Sequence, residues 1–261
     1  MQQFNPNPSA WGGTVARTQV EVDQGLRAFM LGVYNNMVLG LAISAMVALG
    51  INKLAVAAPG TGVRVRGLGG VELTQFGVQL YTSWLWLVVA LAPLAFIFFF
   101  SFRLDRMSAA TARATFFAFA AVMGASLSSI LIRYTGASVV QVFFITAAAF
   151  GSLSLWGYTT QRSLSGMGSF LLMGLIGLIL AMLVNAFMQS PALHYAISVL
   201  GVLIFAGLTA YDTQKLKEMY IYGDFDGEAA AKASIFGALT LYLDFINMFQ
   251  FLLSLFGTRN E

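Results

Sequence analysis

Leu241-Tyr242-Leu243-Asp244-Phe245-Ile246-Asn247 sets a carboxylate in the middle of an apolar run of helix length. At the centre of a bilayer an ionised Asp costs roughly 2.5–3.5 kcal/mol on insertion scales, so such a residue turns to a partner or a watery cavity. A second carboxylate, Asp212, closes the preceding apolar run in Ala210-Tyr211-Asp212-Thr213-Gln214-Lys215. Two acids on adjacent membrane helices form an element that answers to protons or cations. Both fold and function turn on whether these runs cross a bilayer.

Composition says that they do. Hydrophobic residues are 58% of the 261 and charged residues only 10%, whereas a soluble domain carries about 25% charged residues. The absence of cysteine excludes disulfides, thiolate metal sites and cysteine nucleophiles. The net charge is +3 with no run of Lys or Arg, which fits the positive-inside rule and not nucleic-acid binding. No basic stretch followed by an apolar one opens the chain, so a cleavable signal peptide is not expected. Residues 1–25, rich in Gln, Asn and Pro, read as a mobile polar tail, and 26–261 as a single membrane domain.

Six apolar stretches of about 20 residues, the length that crosses roughly 30 Å of hydrocarbon, lie near 28–51, 80–102, 109–132, 138–160, 166–188 and 192–211. A seventh, near 229–256, is as long but carries Lys232 and Asp244. The longer connections are 52–79, whose Gly67-Leu68-Gly69-Gly70 lacks the spacing of a phosphate loop, and 215–228, with the turn signal Gly223-Asp224-Phe225-Asp226-Gly227. With the N-terminus inside, the inner segments hold nine cations: Arg17, Arg27, Arg103, Arg106, Arg113, Arg162, Lys215, Lys217 and Lys232. The outer segments hold five: Lys53, Arg64, Arg66, Arg133 and Arg259. The bias favours a cytoplasmic N-terminus; a re-entrant seventh span would carry Arg259 inside as well, so the side of the C-terminus stays open. Trp84, Trp86, Trp156 and Tyr158 sit near span ends, where aromatic belts belong. Small residues at Ala114, Ala118, Ala121, Ala125 and Ser128, and at Gly174 and Gly177, are expected to be packing faces.

Residues equidistant from the turn of a helical hairpin share a depth. Asp212 and Asp244 are symmetric about position 228, whereas the turn centre lies near residues 225–226. The two acids therefore differ in depth by about five residues, or roughly 7–8 Å at 1.5 Å per residue. Tilt can close that gap. Two carboxyls that meet in low dielectric share a proton and titrate as one unit. Plainer readings stand beside this one: Asp212 paired with Lys215 one turn on, and Asp244 bonded to Asn247 as structural glue. Arg103 ends the second span on the same side as Asp212, as an interfacial anchor or as a bridge to Asp212. His194, the sole histidine, reads as a solvated loop residue beside Pro191. Asn35, Asn36 and Asn185 read as interhelical glue.

The Leu-Tyr-Leu-Asp-Phe-Ile-Asn segment at 241–247 and Tyr211-Asp212-Thr213-Gln214 resemble motifs of the transmembrane Bax-inhibitor-motif family, and of its bacterial YccA-type inner-membrane branch. The resemblance spans about residues 27 to 257. It implies an all-α seven-transmembrane-helix bundle with the seventh helix central, and a pH-sensitive calcium leak governed by two aspartates on helices six and seven. By motif position these are Asp212 and Asp244, which would also hold Ca2+ weakly and transiently; Tyr211 and Asn247 are the supporting polar groups. The family's arginine on helix two matches Arg103, after Phe98-Phe99-Phe100-Ser101-Phe102, with Arg106 one turn away.

Three functions compete. A passive, pH-gated cation leak suits the acidic pair, because Ca2+ takes oxygen ligands and few other acids lie in the membrane. An interaction protein that restrains an FtsH-type membrane protease, as the resemblance to YccA-type proteins implies, suits the polar N-terminal tail, which a processive protease could grip. An intramembrane aspartyl protease fits poorly: Asp244 lacks a preceding Gly-x-Gly, and Pro191-Ala192-Leu193 precedes both aspartates. The expectation is a non-enzyme without cofactor, with the lipid bilayer and calcium as partners and no nucleic acid.

Overall fold

A computed structural model describes residues 19–65, 70–103, 107–223 and 227–260, with side chains 19–21 and 99–103 also outside the description. The elements are α1 (Gln19–Ala55), β1 (Val63–Arg64), β2 (Glu72–Leu73), α2 (Gln75–Thr82), α3 (Leu85–Arg103), α4 (Ala109–Leu127) and α5 (Ile130–Arg133). They continue with α6 (Gly136–Thr159), α7 (Ser165–Met188), α8 (Pro191–Tyr222) and α9 (Gly227–Phe256). Local chemistry sets several starts. Thr74, Ser108, Thr135 and Ser190 cap α2, α4, α6 and α8 through their side-chain oxygens, and Pro191 opens α8. The antiparallel pair β1–β2 pins the connection after α1, with Val63 opposite Leu73 and Arg64 opposite Glu72.

The chain is an all-α, multi-spanning membrane protein. Among the described residues six helical stretches are long and apolar enough to cross a bilayer, and a seventh crossing is available if α2 and α3, bent by 62° at Ser83–Trp84, count as one span. The doubtful span is therefore the second. The one that carries Lys232 and Asp244 is an unbroken helix of 30 residues. It is also the most enclosed: 56% of its apolar window is buried, against 11% for α7. α9 packs on α1, α4, α6 and α8.

Two boundaries differ from the sequence reading, for one shared reason. α1 begins at Gln19, inside the stretch expected as tail, and α8 runs on to Tyr222 through most of the expected 215–228 connection. Each extension supplies the other's packing partner. The Tyr220 ring stacks on Phe29 at 5.1 Å and its hydroxyl lies against Gly25. Residues 1–18, the rest of the expected tail, lie outside the described residues.

Packing faces also moved. On α4 the buried positions are Ala112, Phe116, Ala120, Gly124 and Ser128, a repeat of four, with Phe119. Ala114 and Ala118 are exposed. Helices apolar on every side give no periodic signal, so small side chains alone misplace the face. Gly174 does pack on Ile204, while nothing approaches Gly177. Asn36 donates to Gly32 O of its own helix rather than across helices, and Asn185 accepts from Ser190 N in the α7–α8 turn.

Contacts also fix helix direction. Gly40 lies against Phe116 and Ser44 against Gly124, so α1 and α4 run the same way. Gly32 beside Ser234 and Gly40 beside Tyr242 make α9 parallel to α1 as well. After α9, the C-terminal segment ties back to the α5–α6 connection: Thr135 N donates to Thr258 O, Thr258 N to Ser138 Oγ and Asn260 N to Arg133 O.

Candidate functional site: an acidic pair in a membrane-length cavity

The register of α8 on α9 is set by small-to-large contacts. Leu216 sits beside Gly237, Phe251 beside Gly201, and Ser198 Oγ lies 2.9 Å from Ser254 Oγ. In this antiparallel register the level of Asp212 is that of Thr240 and Leu241, so Asp244 lies three to four residues deeper, about 5 Å. Helical side chains lean toward their own N-terminus. On antiparallel helices the two carboxyls therefore lean toward each other across the offset, close enough to interact directly. Asp244 is only 4% exposed, and its second oxygen, Oδ2, has no hydrogen-bond partner among the described residues. Asp212 is half-buried.

The plainer pairings are not what the geometry shows. Lys215 is close enough to act on Asp212 through its charge, but no ion pair within 4 Å joins them among the described residues. Its ammonium instead lies 5.9 Å from the centre of the Tyr211 ring. Asn247 donates its amide to Leu243 O at 2.8 Å, one turn back on its own helix, and not to Asp244. Tyr211 packs on Gly168 of α7, where any Cβ would strike its ring. Arg103 ends α3, but its side chain, like Arg106, lies outside the described residues.

Asp212 and Asp244 face a cavity of about 1240 Å³ bounded by α3, α7, α8 and α9. On α8 it extends from His194 to Lys215, 21 residues apart, or about 31 Å along a helix. That is the thickness of the hydrocarbon core. Along α9 the polar lining residues are Thr240, Asp244, Asn247, Gln250 and Ser254, steps of three and four that make one face. At the end away from the acids, Ser254 Oγ is 2.9 Å from His194 Nε2. His194 is exposed as expected, but it belongs to the first turn of α8 and not to a loop. The sequence reading found Asp244 and Asn247 of this face and missed Thr240, Gln250 and Ser254. Their helical spacing was the available signal.

Among the described residues no three His, Asp or Glu side chains group as a metal site. The oxygen-rich locus is the Asp pair, with the amide of Asn247 nearby on the same face.

Residues 26–261 match the family described as inhibitor of apoptosis-promoting Bax1. A protein of Caulobacter vibrioides is 48% identical over 245 residues, covering 94% of each chain. The inner membrane protein YbhL of Escherichia coli K12 is 43% identical over 243 residues, 92% of this chain and 95% of that one. A protein of Deinococcus radiodurans is 40% identical over 246 residues, 94% and 97% of the two chains.

Proposed function

We propose that this chain, which belongs to the Bax-inhibitor family of non-catalytic membrane proteins, is a pH-sensitive passive cation leak in a bacterial inner membrane, with calcium as the permeant ion. The observation that carries the reading is that Asp212 and Asp244 approach each other in the wall of a cavity as long as the bilayer is thick. Gain or loss of the shared proton switches the pair between a closed contact and two repelling carboxylates that a hard cation can bridge. With only two acids and an amide the site binds weakly, as conduction requires. Tyr211 and Asn247 line the same passage, and Arg103 is the candidate lock on Asp212.

Counting α2–α3 as one crossing gives seven spans with the last at the centre. The parallel course of α1 and α4 supports this count, because the chain must return across the membrane between them. The nine-cation side then faces the cytoplasm, with the N-terminus, as in the positive-inside rule. The inner-membrane assignment leans on the similarity to YbhL.

The test is calcium uptake by proteoliposomes of the purified protein across a pH series. Uptake above that of empty liposomes, with a reversible pH midpoint, is expected. Uptake no greater than that of empty liposomes at every pH would overturn the reading.

A further inference from the structure

A second cleft lies on the opposite side of the bundle, between α1 and α6 and floored by Phe245 of α9, with a volume of about 730 Å³. Its walls are apolar, with Met30 and Met37 on one side and Ala147 and Gly151 on the other. Leu31 and Leu155 on its rims are 51% and 63% exposed, so the cleft opens sideways to lipid. Along α1 it runs from Arg27 to Ala45, about 27 Å.

Its charge is all at one end. Arg27 lines the mouth at the end of the bundle where α8 gives way to α9. Lys217 joins it there, donating from Nζ to Tyr158 O at 2.9 Å beside the Tyr158 ring, which also lines the cleft. The nearby acids are Asp23, one turn before Arg27, and Glu218, next to Lys217. Neither forms an ion pair within 4 Å with these cations among the described residues. Lys217 keeps two donors beyond its bond to Tyr158 O.

We propose that this cleft binds an anionic phospholipid, its phosphate on Arg27 and Lys217 and an acyl chain passing Met37 and Gly151. Cations at the membrane surface favour anionic over neutral headgroups, and an apolar gap open to hydrocarbon regains lost dispersion contacts when a chain fills it. A partner's transmembrane helix is the competing occupant, and cross-linking from Gly151→Cys distinguishes it. The site does not depend on the leak reading.

The experiment uses the full chain in nanodiscs of phosphatidylcholine with and without phosphatidylglycerol, and reads retained lipid by native mass spectrometry and thermal stability. Phosphatidylglycerol should be retained in preference. Arg27→Gln should weaken retention roughly fivefold, and its combination with Lys217→Gln roughly thirtyfold. Gly151→Leu should expel the lipid while its melting temperature in phosphatidylcholine stays at the wild-type value, because a Cβ added at Gly151 meets nothing within 4 Å. Free glycerol phosphate should not compete. Equal retention of both lipids, wild-type retention by Gly151→Leu, competition by glycerol phosphate, or cross-linking of Gly151→Cys to another protein would each overturn the site.

Discussion

The leak reading requires that Asp212 and Asp244 share one proton and titrate as one unit, and that makes a specific demand on the variants. Asp212→Asn and Asp244→Asn each leave one ionisable carboxyl, so both should lose the pH midpoint of calcium flux that the wild type shows, whatever their absolute rates. A midpoint that stays in place in either variant would mean that the acids act separately. Two positions back, Tyr242 points the other way. Its hydroxyl lies 2.6 Å from Ser44 Oγ, which donates to Ala120 O, and the ring is held edge-on by Phe116 and Phe119. One side chain thus joins α9 to both α1 and α4. Tyr242→Phe keeps the ring and loses the hydroxyl contact, so it should cost about 1 kcal/mol, read as a lower melting temperature in detergent. Its flux midpoint should not change. The Leu-Tyr-Leu-Asp motif therefore serves two faces, one structural and one facing the cavity.

At the scale of the element, α9 combines a packed back with a polar front. Thr240→Val and Gln250→Leu remove polar groups from the front without touching the acids. Each should lower calcium flux several-fold while leaving the pH midpoint in place; undiminished flux in both would take that face out of the path. A different logic governs the hairpin after α1. Glu72 accepts backbone N–H bonds from Gly62 and Gly60 and a bond from Arg64 Nε at 3.1 Å. These hold its carboxyl below the ordinary value of 4.5, the Gly62 bond contributing most. A depressed carboxyl stabilises the fold above its unfolded pKa and loses that contribution as pH falls through the folded one. Hydrogen-exchange protection of residues 60–64 should therefore hold at neutral pH and fall only below about pH 4.5, and Glu72→Gln should lower it at neutral pH as well.

For the whole molecule, helix direction decides which ends share a side. The C-terminal segment is bonded to the α5–α6 connection, at the opposite end of α9 from its turn with α8. That favours a full crossing over a re-entrant last span, and residues 19 and 260 lie at opposite ends of the bundle. The chain has no cysteine of its own, so single introduced thiols report cleanly. In intact cells a membrane-impermeant thiol reagent should label Arg259→Cys and spare Tyr222→Cys, with both labelled after permeabilisation. The reverse pattern would invert the orientation.

Composition and span length were enough to establish a multi-spanning helical membrane protein, because crossing hydrocarbon requires some 20 apolar residues whatever they pack against. The acid in 241–247 was equally legible, since a carboxylate in such a run is costly and therefore conspicuous. What surrounds it was not. Ala112 and Gly124 cannot be told from Ala114 and Ala118 by hydropathy, because lipid and protein interior are alike apolar. The helical extensions at 19–25 and 212–222 are polar enough to read as tail and loop, and pack as helices through contacts such as Tyr220 on Gly25 and Phe29 and Leu216 on Gly237. The meeting of Asp212 with Asp244 likewise depends on the register that Gly237 and Gly201 allow. Contacts between residues far apart in the chain fixed it, and no local pattern encodes them.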